Sequence, residues 1–235
     1  NNFIFGNTAK KDYLTANYIN IPLTSIKSKF LSTTNEYCKE FIKINNKMKF
    51  DIIEIHNRPL VLSYLQKKIS SKFIIYFHND PLSMKGSITK NERINLLNIS
   101  DKIVFISEWV KKRFFKNIED YSDQKTKVIY HSVSKQKRLY KKKKYITFVG
   151  KLNTAKGYDI FAKTIKLVLN KYPNWRAKII GDEKRERIFL KHKNADILGF
   201  LNHEKTLNIF KKTSIAVACS RWEEPFGRTS LEASA

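Results

Sequence analysis

Residues 145–161 read YITFVGKLNTAKGYDIF. An apolar run, Tyr145–Val149, gives way to Gly150 and a short polar loop. Lys156-Gly157 then opens a helical pattern that runs from Tyr158 to Tyr172. Strand, tight loop and amphipathic helix in that order are the first half of a βαβ unit. "YPNW" at 172–175 closes the helix, because Pro173 cannot continue it, and Arg176–Gly181 is the next strand. A short strand in "ADILGF" (195–200), a helix from Glu204 to Lys212 and a strand in "IAVACS" (215–220) follow.

The same alternation precedes this segment. Strand candidates are "FIF" near Phe3, "YINIPL" from Tyr18, "FDIIEIH" from Phe50, "KFIIYFH" from Lys72, "KIVFIS" from Lys102 and "KVIYHSV" from Lys127. Helical patterns cover Thr33–Lys47, Leu60–Ile69, Glu92–Leu97 and Glu108–Phe115, the last with Ser107 as its cap. Strands alternating with helices throughout predict an α/β fold with parallel sheets. The run Lys141–Lys144 reads as a solvated linker in preference to a binding patch, and the pattern restarts after it. Two domains are expected, residues 1–140 and 141–235.

Charge is the compositional outlier: 46 Lys and Arg against 21 Asp and Glu, a net charge of +25. It is spread evenly, with 25 basic and 12 acidic residues up to Tyr140 and 21 and 9 after it. No single basic arm carries it, and such a surface attracts polyanions, anionic membranes or phosphorylated substrates. Base composition of the coding sequence explains part of the lysine, asparagine and isoleucine excess equally well. Cys38 and Cys219 fit no metal or redox spacing, and no apolar run has the roughly 20 residues of a membrane span. The chain opens on "NNFIFGN" and ends on a helical pattern, which suggests a fragment cut at both ends.

Ligands of open parallel sheets bind beyond the carboxyl ends of the strands. The polar residues there are "HNRP" (56–59), "HND" (78–80), "GKL" (150–152), "GD" (181–182) and "SRWEEPFG" (220–227). The last continues as EEPFGRTSLEASA, with Glu224 and Glu232 eight positions apart around Pro225 and Gly227. A helix beginning near Arg228 or Thr229 offers unpaired N–H groups to a phosphate. Carboxylates accept paired hydroxyls, such as those of a ribose or a hexose. Lys151 and Lys156, at another strand end, would offset the charge of a diphosphate. Taken singly, Glu232 reads better as a first-turn acid matching the helix dipole, Glu224 as a surface loop acid and the lysines as a solvated face. Together they fit a nucleotide sugar.

These two elements resemble the donor site of retaining family-4 glycosyltransferases of the GT-B fold. Glu224 and Glu232 in "EPFGRTSLE" match that family's E-x(7)-E motif, and "GKLNTAKG" resembles its G-R-L-x-x-x-K-G element, with Lys151 in place of Arg. Lys supplies charge but no bidentate fork. "DIIEIHNRP", "IIYFHND" and "DKIVFISEWVKKRF" look like segments of the family's N-terminal domain. The resemblance implies two Rossmann-like domains whose parallel sheets face a cleft, the N-terminal one lacking its first strand. It implies Glu232 on the ribose and Glu224 on the donor hexose. Lys151 and Lys156 would meet the diphosphate, and the backbone of Phe226, Gly227 and Arg228, with Thr229 beside it, would meet sugar and phosphate. His78 would contact the donor sugar. It implies transfer with retention, with no metal and no cofactor beyond the donor, to a glycan or lipid-linked acceptor of the cell envelope. The protein would then be cytoplasmic, with peripheral contact to the inner face of the plasma membrane.

His56 and Arg58 could line an acceptor cleft, or His56 could be a satisfied turn residue. His131 reads as structural, and His192 and His203 as surface residues. "GDEKRERIF" (181–189) reads as an exposed helix face. Two rivals remain. One is a non-transferase enzyme of the same fold, such as a nucleotide-sugar epimerase or a phosphorylase. The other is a nucleic-acid-binding module, which the charge favours and the absence of any recognisable fingerprint disfavours.

Overall fold

The computed structural model describes residues 2–8, 17–23, 33–119, 121–135, 140–186 and 188–235. The chain divides into two compact units, Asn1–Tyr130 and His131–Ala235. The boundary expected at 140/141 lies ten residues further on.

The first unit runs β1 (Ile4–Gly6), β2 (Tyr18–Asn20), α1 (Thr33–Met48), β3 (Ile52–His56), α2 (Pro59–Leu65), β4 (Lys72–Phe77), α3 (Lys90–Ile99), β5 (Lys102–Phe105), α4 (Glu108–Phe114) and β6 (Thr126–Val128). Strands β3 to β6 form a parallel sheet in that order, and β1 pairs with β2 in a separate parallel pair. Burial alternates along β4, where Phe73, Ile75 and Phe77 point into the core. Phe77, Phe105 and Phe114 meet there, ring centres 5.2–5.9 Å apart. Burying each such ring contributes about 1.5–3 kcal/mol. Helix starts follow their caps. Ser107 accepts from the Val110 N–H, as expected, and Thr89 and Glu92 form a full capping box at α3.

The second unit runs β7 (Lys143–Val149), α5 (Tyr158–Lys171), β8 (Arg176–Ile180), β9 (Ala195–Ile197), α6 (His203–Phe210), β10 (Thr213–Val217) and α7 (Arg228–Ser234). Its sheet has the order β10-β7-β8-β9, all parallel. The predicted strand–loop–helix at 145–161 is its centre: Phe148 of β7 packs on Tyr158 and Phe161 of α5.

Two expectations change. Of the four lysines read as linker, Lys143 and Lys144 belong to β7, because the Lys143 N–H donates to the Lys212 carbonyl (2.8 Å) and Lys143 pairs in register with Thr213. The described residues of 181–189 contain no helix. There Arg185 folds back on Glu183, with bonds from its backbone N–H (3.1 Å) and its side chain (2.9 and 3.0 Å), a local closure that competes with helix.

The loops after β7 and β8 touch. Gly181, at φ +141°, lies so close to Gly150 that a Cβ would sit 1.8 Å from the Gly150 carbonyl oxygen. Gly181→Ala should therefore destabilise the protein by at least about 2 kcal/mol. Denaturant unfolding of variant and wild type measures this, and equal midpoints would mean the two loops are not in contact.

Candidate functional site

In the second unit two chain segments that follow parallel neighbouring strands cross each other. One is the loop from Gly150 to Gly157, after β7. The other is Ala218–Gly227, after β10. The crossing depends on Gly157, whose left-handed backbone (φ +69°) places its Cα against the Cys219 carbonyl; a Cβ there would lie 1.9 Å from that oxygen. The Arg221 N–H donates to the Ala155 carbonyl (3.0 Å), and the Arg221 guanidinium reaches Asp159 in the first turn of α5 (2.5 Å). The Cys219 thiol donates to the Gly157 carbonyl (3.3 Å), and the side chain also packs against the apolar core of this unit, so Cys219 joins the crossing to the core. The loop after β7 is itself held by Asn153, whose side chain accepts from the Lys156 N–H (3.0 Å).

The crossing brings Lys156 and Glu224 together. The Lys156 ammonium donates to Glu224 Oε1 and lies 5.0 Å from the centre of the Trp222 ring. The same oxygen accepts from Ser220 Oγ (2.6 Å) and Trp222 Nε1 (3.1 Å). Burial pushes the Glu224 carboxyl up, but these three bonds outweigh it and hold the group below the ordinary value. Lys151 is exposed, and its charge reaches Glu183, whose carboxyl is held at about 2 chiefly by the Arg185 side chain.

Glu232 lies in α7, one turn past the turn at Gly227 (φ +72°). No side chain caps that helix. The Glu232 side chain is 8% exposed, and its Oε1 accepts from Arg228 Nε (2.7 Å) and from His203 Nε2 (3.0 Å), the first residue of α6. Thus both acids are anchored through Oε1. Among the described residues no donor reaches either Oε2, and neither Oε2 is a buried unpartnered atom. Phe226 meets the His131 ring edge to face, centres 5.2 Å apart. Thr229 lines a cavity of about 230 Å³ with Val217 and Ser230.

In the first unit, His56 and His78 end β3 and follow β4. Their rings stack on Tyr76 and on each other (centres 4.7–6.1 Å), and His56 Nδ1 and His78 Nε2 share a hydrogen bond of 2.8 Å whose donor is set by the tautomers. Asn57, at φ +55°, accepts from the His78 N–H (2.7 Å). Asp80 caps the turn that follows and takes a bidentate pair from Arg113. Arg58 precedes α2 and offers its carbonyl to the Val61 N–H. His192 bonds Asn170 and the Asn194 N–H in a surface turn. Among the described residues no group of three His, Cys, Asp or Glu is arranged to hold a metal ion.

The structure therefore brings together Lys156 and Glu224, sets Glu232 on the far side of the Gly227 turn, and places His78 in the other unit. Sequence reasoning missed four partners. Ser220 and Trp222 lie inside the motif with no role that their spacing implies, and from sequence His203 and His131 read as surface and structural residues. His203 is indeed exposed, but it bonds an expected site carboxylate.

Since the folded-state value of Glu224 is lowered, its pairing stabilises the protein above the usual glutamate value of 4.5 and loses that contribution as pH falls below it. Glu224→Gln cannot titrate. It should be less stable than wild type at neutral pH, with the gap closing in acid. Urea midpoints of both proteins across pH check this, and a gap independent of pH would contradict the ion pair.

Residues 131–235, the second unit, match the family model described as glycosyl transferases group 1. No curated protein matches the chain in sequence. Several solved structures share its fold. Anabaena HepE, crystallised in complex with UDP and glucose, superposes with a TM-score of 0.61 at 17% identity, over 92% of this chain and 64% of that one. A glycosyltransferase from Rickettsia africae ESF-5 gives 0.63 at 19% identity, over 92% and 62%. An E. coli protein described as trehalose-6-phosphate, bound with UDP-2-fluoro glucose, gives 0.60 at 11% identity, over 97% and 73%. The chain thus spans less than two thirds of the first two. Two parallel α/β units in series, with this likeness, give the chain the expected GT-B class of fold.

Proposed function

We propose that this chain, whose second unit matches the glycosyl transferases group 1 model, comes from a retaining enzyme that moves a hexose from a nucleotide-diphosphate sugar to a glycan or lipid-linked acceptor of the cell envelope. The observation that carries this is the pair of acids around Gly227. Each is tied through one oxygen, and among the described residues no donor reaches the other, which leaves it as an acceptor for ligand hydroxyls. Glu232 takes the ribose and Glu224 the hexose.

In the reaction the bond between the sugar's anomeric carbon and the diphosphate oxygen breaks. An acceptor hydroxyl oxygen takes its place, and its proton passes to the departing diphosphate. Charge builds on the departing diphosphate, and Lys156 and Lys151 offset it, aided by the backbone of Phe226, Gly227 and Arg228 with Thr229. His78 contacts the donor sugar. Cationic side chains fill the role a divalent ion would have, so the proposal includes metal-independent turnover and no cofactor beyond the donor.

Calorimetric titration of the full-length protein with UDP, GDP and ADP tests the donor site. HepE and the E. coli protein were solved with uridine nucleotides, which makes UDP the first ligand to try. One nucleotide should bind equally well with and without EDTA, and Glu232→Gln should weaken it roughly tenfold, as expected for a lost hydrogen bond to a charged group. A folded full-length protein that binds none of them would remove the donor-site reading.

The net charge of +25 favours peripheral contact with an anionic membrane, and the reading places the protein in the cytoplasm; against a nucleic-acid partner stands the lack of any recognisable fingerprint, not the charge. Among the described residues no helix is long and apolar enough to cross a membrane. Sedimentation with vesicles containing phosphatidylglycerol should retain the full-length protein at low salt and release it at high salt. A protein that ignores such vesicles, or prefers oligonucleotides to heparin, overturns this part.

A further inference from the structure

Lys156 and Glu224 are expected to bind different parts of one ligand, the diphosphate and the hexose. In the structure they bind each other. Nζ of Lys156 donates to Glu224 Oε1 and covers the face of Trp222, while the indole N–H of Trp222 donates to the same carboxylate oxygen. Both side chains of the ion pair are only about a third exposed, 27% for Lys156 and 31% for Glu224. Neither charge is fully screened by water there.

We infer that Glu224 competes with the diphosphate for Lys156, and that this competition makes the site discriminate a nucleotide sugar from the bare nucleoside diphosphate. The inference deepens the proposed donor site and rests on it. A diphosphate that draws Lys156 towards itself strips Glu224 of the one cation that pairs with it among the described residues; Ser220 and Trp222 remain as neutral donors. When the ligand carries a hexose, sugar hydroxyls donate to Glu224 and replace the lost cation. When it carries none, the half-buried carboxylate keeps its two neutral donors but has no countercharge, and the ligand must bear that cost. After transfer the product is a nucleoside diphosphate without a sugar. Glu224 then reclaims Lys156, which favours product release. Trp222 is the positioning residue of this exchange, since its ring face holds the ammonium and its N–H holds the acid.

The test uses full-length protein and whichever of UDP, GDP or ADP binds the wild type, together with the corresponding nucleoside diphosphate glucose. Glu224→Gln is nearly isosteric and keeps an acceptor for Ser220 and Trp222, but it releases Lys156. It should bind the bare nucleoside diphosphate more tightly, by about fivefold for a pair of this exposure. It should bind the sugar conjugate no more tightly than wild type does, so the preference for the conjugate shrinks. A fluorescence titration gives an independent readout. The wild-type tryptophan emission should change when the nucleoside diphosphate moves Lys156 off the indole, and Trp222→Phe should lose that change while calorimetry still detects binding; Trp109 and Trp175 remain in both proteins.

A Glu224→Gln variant that binds the bare nucleoside diphosphate no better, or worse, overturns the competition while leaving the donor site standing, provided Glu232→Gln still weakens binding. An emission change that survives in Trp222→Phe removes Trp222 from the exchange. Failure of the wild type to bind any of the three nucleotides removes the donor site, and the inference with it.

Discussion

The second unit depends on one close approach: the backbone of Gly157 against the carbonyl of Cys219. Because no side chain separates them, the loop after β7 and the loop after β10 can cross and exchange hydrogen bonds. That crossing lets Arg221 reach both the Ala155 carbonyl and the Asp159 carboxylate, and it carries Trp222 over Lys156. Two segments separated by more than 60 residues thus become one surface. Parallel pairing of β10 with β7 supplies the scaffold, and glycine supplies the clearance.

The chemistry of that surface follows from how its charges are held. Each of the two acids spends one oxygen on protein donors. Glu224 is tied to a cation, an indole and a hydroxyl; Glu232 is tied to Arg228 and His203. Such anchoring fixes a carboxylate's orientation without consuming its capacity to accept, as a site for vicinal hydroxyls requires. The first unit shows a comparable economy in another form. Its three stacked rings, His56, Tyr76 and His78, are ordered by the register of two adjacent strands, and Asn57 and Asp80 fix the turns on either side.

Much of this was legible in the sequence because it is local. Alternating apolar runs and amphipathic helices gave the α/β class, and the spacing of Glu224 and Glu232 with the lysine-bearing loop pointed to a nucleotide sugar. The misreadings have physical causes. Lys143 and Lys144 look like linker by composition, but their backbone completes a ladder with β10, and lysine side chains at a strand's start simply extend into solvent. Residues 181–189 have the charge pattern of a helix face, yet Arg185 closes on Glu183 two residues back. His203 lies 29 residues from Glu232, and His131 lies still further from Phe226. No periodicity links such positions; only the packing of α6 beside α7 and the return of the chain after residue 131 bring them together.

The most direct test of the central claim is a crystal structure of the full-length protein with a nucleoside diphosphate glucose that it binds. The account predicts ribose hydroxyls on Glu232 Oε2, hexose hydroxyls on Glu224, and the Lys156 ammonium transferred from Glu224 to a phosphate oxygen. A ligand bound elsewhere, or one bound here with the Lys156–Glu224 pair intact, would contradict it.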